Sequence, residues 1–192
     1  MSQQKPSFTT TFFTALFGAV IFAIAAQVTL SVPFGDNLIP LTGQSFAILL
    51  FALAAGSRAG VFAVILYLLM GAFGLPVFAD WSAGFDKFSG ATGGYLYGFI
   101  FGALLTGWFG DMQWDKMVLK AFVALLLGGL VILLVGFIHL NLMENWEFAV
   151  ENGLNQVLLT GTTIKALIGA LIWPLYYWLN DRHDKNYQKM FS

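Results

Sequence analysis

Long stretches without any charged residue constrain this chain more than any other feature of its sequence. Five stretches of 21 to 30 residues contain no Asp, Glu, Lys or Arg, and a sixth is interrupted only by Lys165. In order, they are 6–35, 37–57, 59–79, 88–110, 121–143 and 152–180. A helix needs about 20 apolar residues to cross the hydrocarbon core of a bilayer. The sequence therefore predicts six membrane spans.

The composition agrees with a membrane protein and excludes several other classes. Only 10% of the 192 residues are charged, whereas soluble domains carry roughly 25% charged residues. The net charge of −1 lacks the basic excess that is typical of nucleic-acid binding. The absence of cysteine excludes disulfides and thiolate metal sites. Because the apolar stretches lack the alternation of β-barrel strands, we expect an all-α fold.

Turn-forming residues inside the uncharged stretches limit the expected helices. Pro33 and Gly35 predict a turn within 31–37, and Gly56-Ser57-Arg58 predicts a tight turn between the second and third helices. Lys5 and Ala23-Ile24-Ala25 resemble parts of a signal peptide, but the apolar run continues past the cleavage pattern, so we expect the first helix to be retained. The expected helices are about 10–30, 42–56, 60–73, 92–110, 117–141 and 153–180, within one membrane domain over 1–192.

The distribution of Lys and Arg predicts that both termini are cytoplasmic. Short cytoplasmic loops of membrane proteins are enriched in these residues. With the N terminus inside, seven of the nine basic residues lie on the cytoplasmic side: Lys5, Arg58, Lys116, Lys120, Arg182, Lys185 and Lys189. An even number of spans then returns the C terminus to the cytoplasm.

Lys165 is the only charged residue deep inside an expected span. A lysine in the middle of a bilayer costs at least a few kcal/mol, and no Asp or Glu lies in any expected span to neutralise it. Either Lys165 reaches a water-filled crevice or a loop acid, or it binds an anionic group that arrives with a ligand. Asn155 and Thr162 share its face of the helix, and Gly161 and Gly169 flank it. We favour the ligand.

The loop over 74–90 is a second candidate binding segment. It carries the aromatic residues Phe78 and Trp81 and the charged residues Asp80 and Lys87. Trp81 is also typical of an interfacial aromatic belt. The loop continues into Gly90-Ala91-Thr92-Gly93-Gly94-Tyr95, where glycine permits close approach of the backbone.

Two further patterns lie in the first two helices. Thr42 and Gln44 begin an otherwise apolar helix; Thr42 is also a typical helix cap, whereas Gln44 lies one turn inside. Ala15, Ala19 and Ala23 form a ridge at four-residue spacing that suits close helix packing, either within the chain or against a partner.

The sequence contains no recognisable motif of catalytic residues. There is no G-x-x-x-x-G-K-[ST] phosphate-binding loop and no G-x-S-x-G nucleophile, and His139 and His183 lie on opposite expected sides of the membrane. We therefore expect neither an enzyme, a bound metal nor a cofactor. A membrane enzyme and an assembly subunit remain alternatives to a ligand-binding protein.

Three motifs resemble the BioY family, the biotin-specific substrate-binding (S) components of energy-coupling-factor (ECF) transporters. The similarity covers roughly 10–180 in order and spacing. The motifs are Pro40-Leu41-Thr42-Gly43-Gln44-Ser45-Phe46, Gly71-Ala72-Phe73-Gly74-Leu75-Pro76-Val77-Phe78 and Gly90-Ala91-Thr92-Gly93-Gly94-Tyr95-Leu96-Tyr97-Gly98-Phe99.

The resemblance implies a six-helix S component of the cell membrane that binds biotin near the outer face. Import then requires a transmembrane coupling protein and two ATPase subunits. Small residues of the first helix pack on the coupling protein in the family, which makes Ala15, Ala19 and Ala23 candidate partner contacts. The candidate biotin-binding residues are Thr42, Gln44, Phe78, Asp80, Trp81, Lys87, Thr92, Gly93, Tyr95, Asn155, Thr162 and Lys165.

The last helix departs from the family pattern. The family has an acid three residues before the lysine, and Thr162 stands at that position here. One hypothesis is that Asp80 or Asp86 supplies the missing carboxylate from the loop. The alternative is a different ligand, such as a biotin precursor, another vitamin or a small carboxylate.

Overall fold

Helices dominate the structure because apolar segments in lipid must satisfy their backbone hydrogen bonds internally. The computed structural model describes residues 7–34, 37–150 and 161–190, with side chains at 7–28, 43–150 and 161–179. Its elements are α1 (Phe8–Ala26), β1 (Thr29–Phe34), β2 (Asn37–Thr42), α2 (Gly43–Ala72), α3 (Asp86–Ser89), α4 (Gly93–Asp111), α5 (Val118–Met143), α6 (Trp146–Ala149) and α7 (Thr162–Met190). Single 3₁₀ turns lie at Ala79–Trp81 and Trp114–Lys116.

A short β-hairpin follows the first helix. α1 ends at Ala26 rather than near residue 30, and the centre of the turn expected within 31–37 lies at 35–36, outside the described residues. β1 and β2 pair antiparallel, from Thr29 opposite Thr42 to Phe34 opposite Asn37. Strand pairing satisfies backbone groups that a continued helix would otherwise satisfy. The fold is therefore helical with one added hairpin, which the sequence did not predict.

α2 reverses direction at Gly56, as predicted from Gly56-Ser57-Arg58. Gly56 has φ 81° and ψ 171°, a conformation that favours glycine. Gln44 and Tyr67 would lie about 34 Å apart in a straight helix, yet Gln44 Nε2 is 2.7 Å from Tyr67 Oη. α2 is thus two antiparallel arms, 43–55 and 57–72. By length and hydropathy α1, α2 and α5 are candidate membrane spans. α2 is long enough only when its two arms are counted as one helix, since each arm has fewer than 18 residues.

The helices place the loops at two ends of the bundle. The hairpin end contains the β-hairpin, the start of α2 and the loop over 74–90. His139 of α5 joins this end, since its Nε2 lies 3.1 Å from Gly90 O. The Gly56 end contains the reversal of α2, the end of α4 and the start of α5. α2 packs mainly on α1 and α4, and α5 packs on α4 and α7.

The alanine ridge of α1 packs inside the chain in this conformation, and the expected partner contact stays a prediction. Ala15 and Ala19 are fully buried and Ala23 is half-buried. Gly18, on the same face, lies against Phe51 and Ala63 of α2. Small side chains allow α1 to approach both arms of α2 closely. Ala15 and Ala19 are therefore covered by α2 in this conformation, whereas Ala23 keeps part of its surface exposed.

The later helices lie close to their expected limits. α4 and α5 begin and end within two residues of the expected 92–110 and 117–141. The last helix is described from Thr162 to Met190, ten residues beyond its expected end. Its expected start at 153 lies outside the described residues.

Candidate ligand-binding site

A pocket lies where the beginnings of α2 and α7 meet the middle of α5. It is an open depression with a cavity volume of about 30 Å³. Small-molecule pockets are typically apolar with a few polar groups, and this one has that kind of lining, although it must widen to accept a ligand. The wall consists of Ser45, Phe46, Leu49, Leu125, Gly129, Ile132, Leu133, Thr162, Lys165 and Ala166. Its polar side chains are those of one lysine, one serine and one threonine.

Lys165 places its ammonium group in this pocket. Nζ donates to Ser45 Oγ at 3.0 Å, and the lysine side chain is half-buried. The ammonium has three donors, and Ser45 accepts from one of them. Among the described residues, no carboxylate lies within ion-pair distance of Lys165. The pocket therefore contains a partly desolvated positive charge whose partner is neutral.

Thr162 lies on the pocket wall one turn before Lys165. Gly129 of α5 makes room for it, because a Cβ on Gly129 would meet the Thr162 methyl group. The space expected beside Gly169 is instead occupied by packing, with Leu125 and Phe46 close to the position of its missing Cβ. The two glycines thus bring α7 close to α5 and α2 and set the depth of the lysine.

Gln44 is turned away from Ser45, its neighbour in the chain. Gln44 Nε2 donates to Tyr67 Oη at 2.7 Å, and Tyr67 donates in turn to Val77 O at 3.0 Å. Gln44 is 5% exposed and Tyr67 is fully buried. The first turn of α2 therefore carries two polar contacts: Ser45 to the pocket lysine, and Gln44 to the second arm of α2 and the loop.

The loop residues lie at the same end of the bundle but not on the pocket wall. Phe78 is buried, with edge-to-face contacts to Tyr67 and Phe88. Asp80 and Trp81 both have φ 56°, and Trp81 is 69% exposed. These two residues present their side chains on the surface rather than toward Lys165.

Gln27 connects the loop to the end of α1. Its Nε2 donates to Phe78 O at 2.9 Å, and its Oε1 accepts from Trp81 N at 3.0 Å. A single amide side chain therefore binds both sides of the 3₁₀ turn at Ala79–Trp81. This contact was not predicted, because nothing in the sequence relates Gln27 to a segment about fifty residues away.

Two charged loop residues pair with each other. Lys87 Nζ lies 3.7 Å from Asp86 Oδ2, and the Asp86 side chain is largely exposed. Exposed pairs of this kind contribute little to stability. Neither Asp80 nor Asp86 lines the pocket, so neither supplies Lys165 with a carboxylate in this conformation.

The start of α4 packs against its neighbours. Thr92 is exposed, whereas Gly93 is buried where a Cβ would run into Phe88 O. The Tyr95 ring is half-buried over Gly136 of α5. These contacts position the loop relative to α5, and none of the three residues is part of the pocket wall.

The structure thus brings Thr162 and Lys165 together with Ser45, which was not among the sequence candidates. Ser45 lies within the quoted motif that begins at Pro40, but a serine near the start of a helix is most often a cap. The Thr42 side chain and all of Asn155 lie outside the described residues.

Comparisons with known proteins agree on one family and one fold. The BioY family model matches residues 1–180. The biotin transporter BioY of Rhizobium etli is 31% identical over 166 residues, covering 83% of this chain and 88% of that protein. Biotin transporter BioY2 of Lactococcus lactis subsp. cremoris is 33% identical over 138 residues, covering 71% and 73%.

The fold matches that of a solved S component. The crystal structure of the S-component for biotin from an ECF-type ABC transporter aligns with a TM-score of 0.73 at 22% identity, covering 92% of this chain and 95% of that one. The expected ECF S-component fold is confirmed. These relatives are transport proteins rather than enzymes.

Proposed function

The chain belongs to the BioY family, and we propose that it binds biotin in the Lys165 pocket as the S component of an ECF transporter. Its family and its several apolar helices make it a multi-pass membrane protein. We place it in the cytoplasmic membrane as one domain, with both termini inside and the hairpin end facing outward. The bias of Lys and Arg toward the Gly56 end supports this orientation.

The observation that carries the proposal is the neutral partner of Lys165. A charged side chain inside a membrane span is usually paired or functional, and Ser45 is the hydrogen-bond acceptor of Lys165. A ligand oxygen with negative charge or strong polarity would satisfy the remaining donors of the ammonium. Biotin offers two groups with such oxygens, its carboxylate and its ureido carbonyl.

The rest of the pocket suits an apolar ring system. Leu49, Leu125, Ile132 and Leu133 line the wall beside the lysine, and their side chains favour the hydrocarbon and thioether parts of biotin. Thr162 offers a hydroxyl that both donates and accepts. Polar groups at one side and apolar groups at the other would orient the ligand.

The sequence has no phosphate-binding loop with which this chain could use a nucleotide to drive import. We propose that a transmembrane coupling protein and two ATPase subunits associate with this chain. The solved structure with the same fold is a component of an ECF-type ABC transporter, which supports that assembly. The exposed face of α1 is free to meet lipid or a partner.

Calorimetry with biotin tests the binding proposal directly. We expect Lys165→Ala to weaken biotin binding at least about 30-fold, because loss of a charged contact in a partly buried site costs about 2–5 kcal/mol. The matched control is Lys116→Ala, which removes an exposed lysine that donates to Gln113 at the Gly56 end. Unchanged affinity of Lys165→Ala, with wild-type thermal unfolding, would overturn the assignment.

Biotin methyl ester identifies the ligand oxygen at Lys165. If the carboxylate meets the lysine, esterification weakens binding to the wild type but has little further effect on Lys165→Ala. If the ureido carbonyl meets it, esterification affects both proteins equally. Either pattern keeps the lysine in the site and fixes the direction of the ligand.

Thr162 gives a reason to test a second ligand. A threonine at the position of the family's acid removes a negative acceptor from the pocket. Desthiobiotin, a precursor that keeps the ureido ring and the carboxylate, is therefore the comparison to make. Tighter binding of desthiobiotin than of biotin would assign this chain to precursor uptake.

A further inference from the structure

The hairpin end of the bundle presents mainly acidic side chains. Asp80, Asp86, Glu144 and Glu147 are exposed there. Lys87, in the same region, is half-buried and paired with Asp86. Negative charge at a membrane surface repels anionic lipid headgroups. The hairpin end is therefore a poor surface for such lipids.

The Gly56 end presents three exposed basic side chains, those of Arg58, Lys116 and Lys120. Among the side chains that the structure describes, no carboxylate lies within ion-pair distance of any of the three. The 3₁₀ turn that contains Lys116 packs against α2, α4, α5 and α7, and Lys120 follows in the first turn of α5. The two lysines thus lie on one connection, between α4 and α5.

The two acids of the same connection are bound by other parts of the chain. Asp111 Oδ2 accepts from the backbone and the hydroxyl of Ser57. Asp115 is buried and accepts from Tyr177 Oη. Of the two acids only Asp111 is exposed. The exposed charge described at the Gly56 end is therefore mainly basic, opposite to that of the hairpin end.

Exposed apolar side chains separate the two lysines. Met117, Val118 and Leu119 lie between them, and Leu119 is 72% exposed. In a membrane protein such side chains are stable against lipid hydrocarbon. A lysine beside them can lay its stem along apolar surface while its ammonium group reaches the headgroups. The segment over 116–120 thus combines cations with apolar groups, as an amphiphilic partner requires.

We propose that the segment over 116–120 binds the headgroup of an anionic phospholipid. Lys116 and Lys120 contact the phosphate, and the three apolar residues between them lie against the acyl chains. Arg58 adds positive charge at the same end, and basic residues at a membrane surface attract anionic lipids. The inference goes beyond the proposed function, because none of these residues lines the Lys165 pocket.

A titration with phosphatidylglycerol in micelles of a neutral detergent tests the proposal. We expect this lipid to raise the unfolding temperature of the wild type more than phosphatidylcholine with the same acyl chains, because a ligand stabilises the state that binds it. For the double variant Lys116→Gln, Lys120→Gln, we expect half of the maximal rise to require at least about tenfold more phosphatidylglycerol. Lys116→Arg, Lys120→Arg keeps both charges and is expected to respond like the wild type. Lys87→Gln is the control for loss of a lysine at the hairpin end.

An equal response of the wild type to the two lipids would overturn the proposal, and so would an equal loss in Lys87→Gln. Glycerol phosphate tests a soluble phosphate as the occupant, and a rise as large as that with the lipid would contradict a lipid site. A glutamine double variant that responds fully to lipid but loses biotin uptake in cells would assign the surface to a protein partner instead. We expect the same variant to bind biotin in detergent like the wild type. A lower unfolding temperature without added lipid would show that the lysines act in the fold.

Discussion

The two ends of the bundle are built in different ways. At the Gly56 end, backbones touch: Gly107 lies against Ser57, and Gly110 lies against Leu53 O. Asp111 Oδ2 accepts from both Ser57 N and Ser57 Oγ, at 3.2 and 2.6 Å. At the hairpin end, Gly93 also packs on a backbone atom, Phe88 O, but side chains such as Gln27 join the segments as well, and a pocket lies nearby. The first arrangement favours stability, and the second leaves room for a ligand.

A buried acid adds to the contrast. Asp115 is buried beside the Gly56 end and accepts from Tyr177 Oη at 2.6 Å. The pocket lysine, by comparison, has the neutral Ser45 as its one partner among the residues that the structure describes. A charge satisfied by the protein itself supports the fold, whereas a charge that is only partly satisfied is available to a ligand. We therefore expect substitutions at the two ends to affect different measurements.

The largest effect is expected from Gly110→Ala at the Gly56 end. The added Cβ would run into Leu53 O, a backbone atom that cannot move independently. Overpacking of this kind costs typically about 1–3 kcal/mol and sometimes more, so we expect a clear fall in the thermal unfolding temperature in detergent. Gly90→Ala is the control, because the nearest atom to its Cβ is Asp86 O at 3.5 Å. Equal unfolding temperatures for the two variants would show that packing at the Gly56 end is not more sensitive to an added methyl group than the hairpin end.

A smaller effect, on ligand affinity rather than on stability, is expected from Ser45→Ala. The variant removes the acceptor of Lys165 without changing the apolar contacts of the pocket. We expect biotin affinity to change about three- to tenfold, the scale of one hydrogen bond, while the unfolding temperature stays the same. Calorimetry and thermal unfolding on the same preparation measure both quantities. A fall in stability with unchanged affinity would place Ser45 in the fold rather than in the site.

The smallest effect is expected from the double variant Asp80→Asn, Asp86→Asn. Neither carboxylate lines the pocket, and Asp86 pairs with Lys87 at the surface. We therefore expect biotin affinity to change less than about twofold, since exposed pairs contribute little. A tenfold loss in calorimetry would show that the loop brings an acid to Lys165 when the ligand binds, as the sequence had suggested.

The sequence predicted the features that depend on charge and turn chemistry. Gaps between charged residues located the apolar helices, and Gly56-Ser57-Arg58 identified the reversal of α2. Lys165 was identified as unusual because it is charged, lies deep in an expected span and has no Asp or Glu in any expected span to neutralise it. The structure places it in a pocket, as expected from its face of the helix.

Features that depend on distant partners were not predictable. Ser45 meets a lysine 120 residues away, and Tyr67 is one of several aromatic residues with no distinguishing spacing. The alanines of α1 could face inward or outward by spacing alone, and only the position of α2 decides between these alternatives. The β-hairpin was missed because Thr29 and Leu30 continue an apolar run that resembles the end of a helix.

The reversal at Gly56 also determines how the protein fits its membrane. The arms over 43–55 and 57–72 contain 13 and 16 residues, which corresponds to heights of about 20 and 24 Å. A typical hydrocarbon core is about 30 Å thick. Hydrophobic mismatch of this size is relieved by local thinning of the bilayer. The bilayer is therefore expected to be thinner beside α2. A ligand would then travel a shorter distance from the aqueous phase to Lys165.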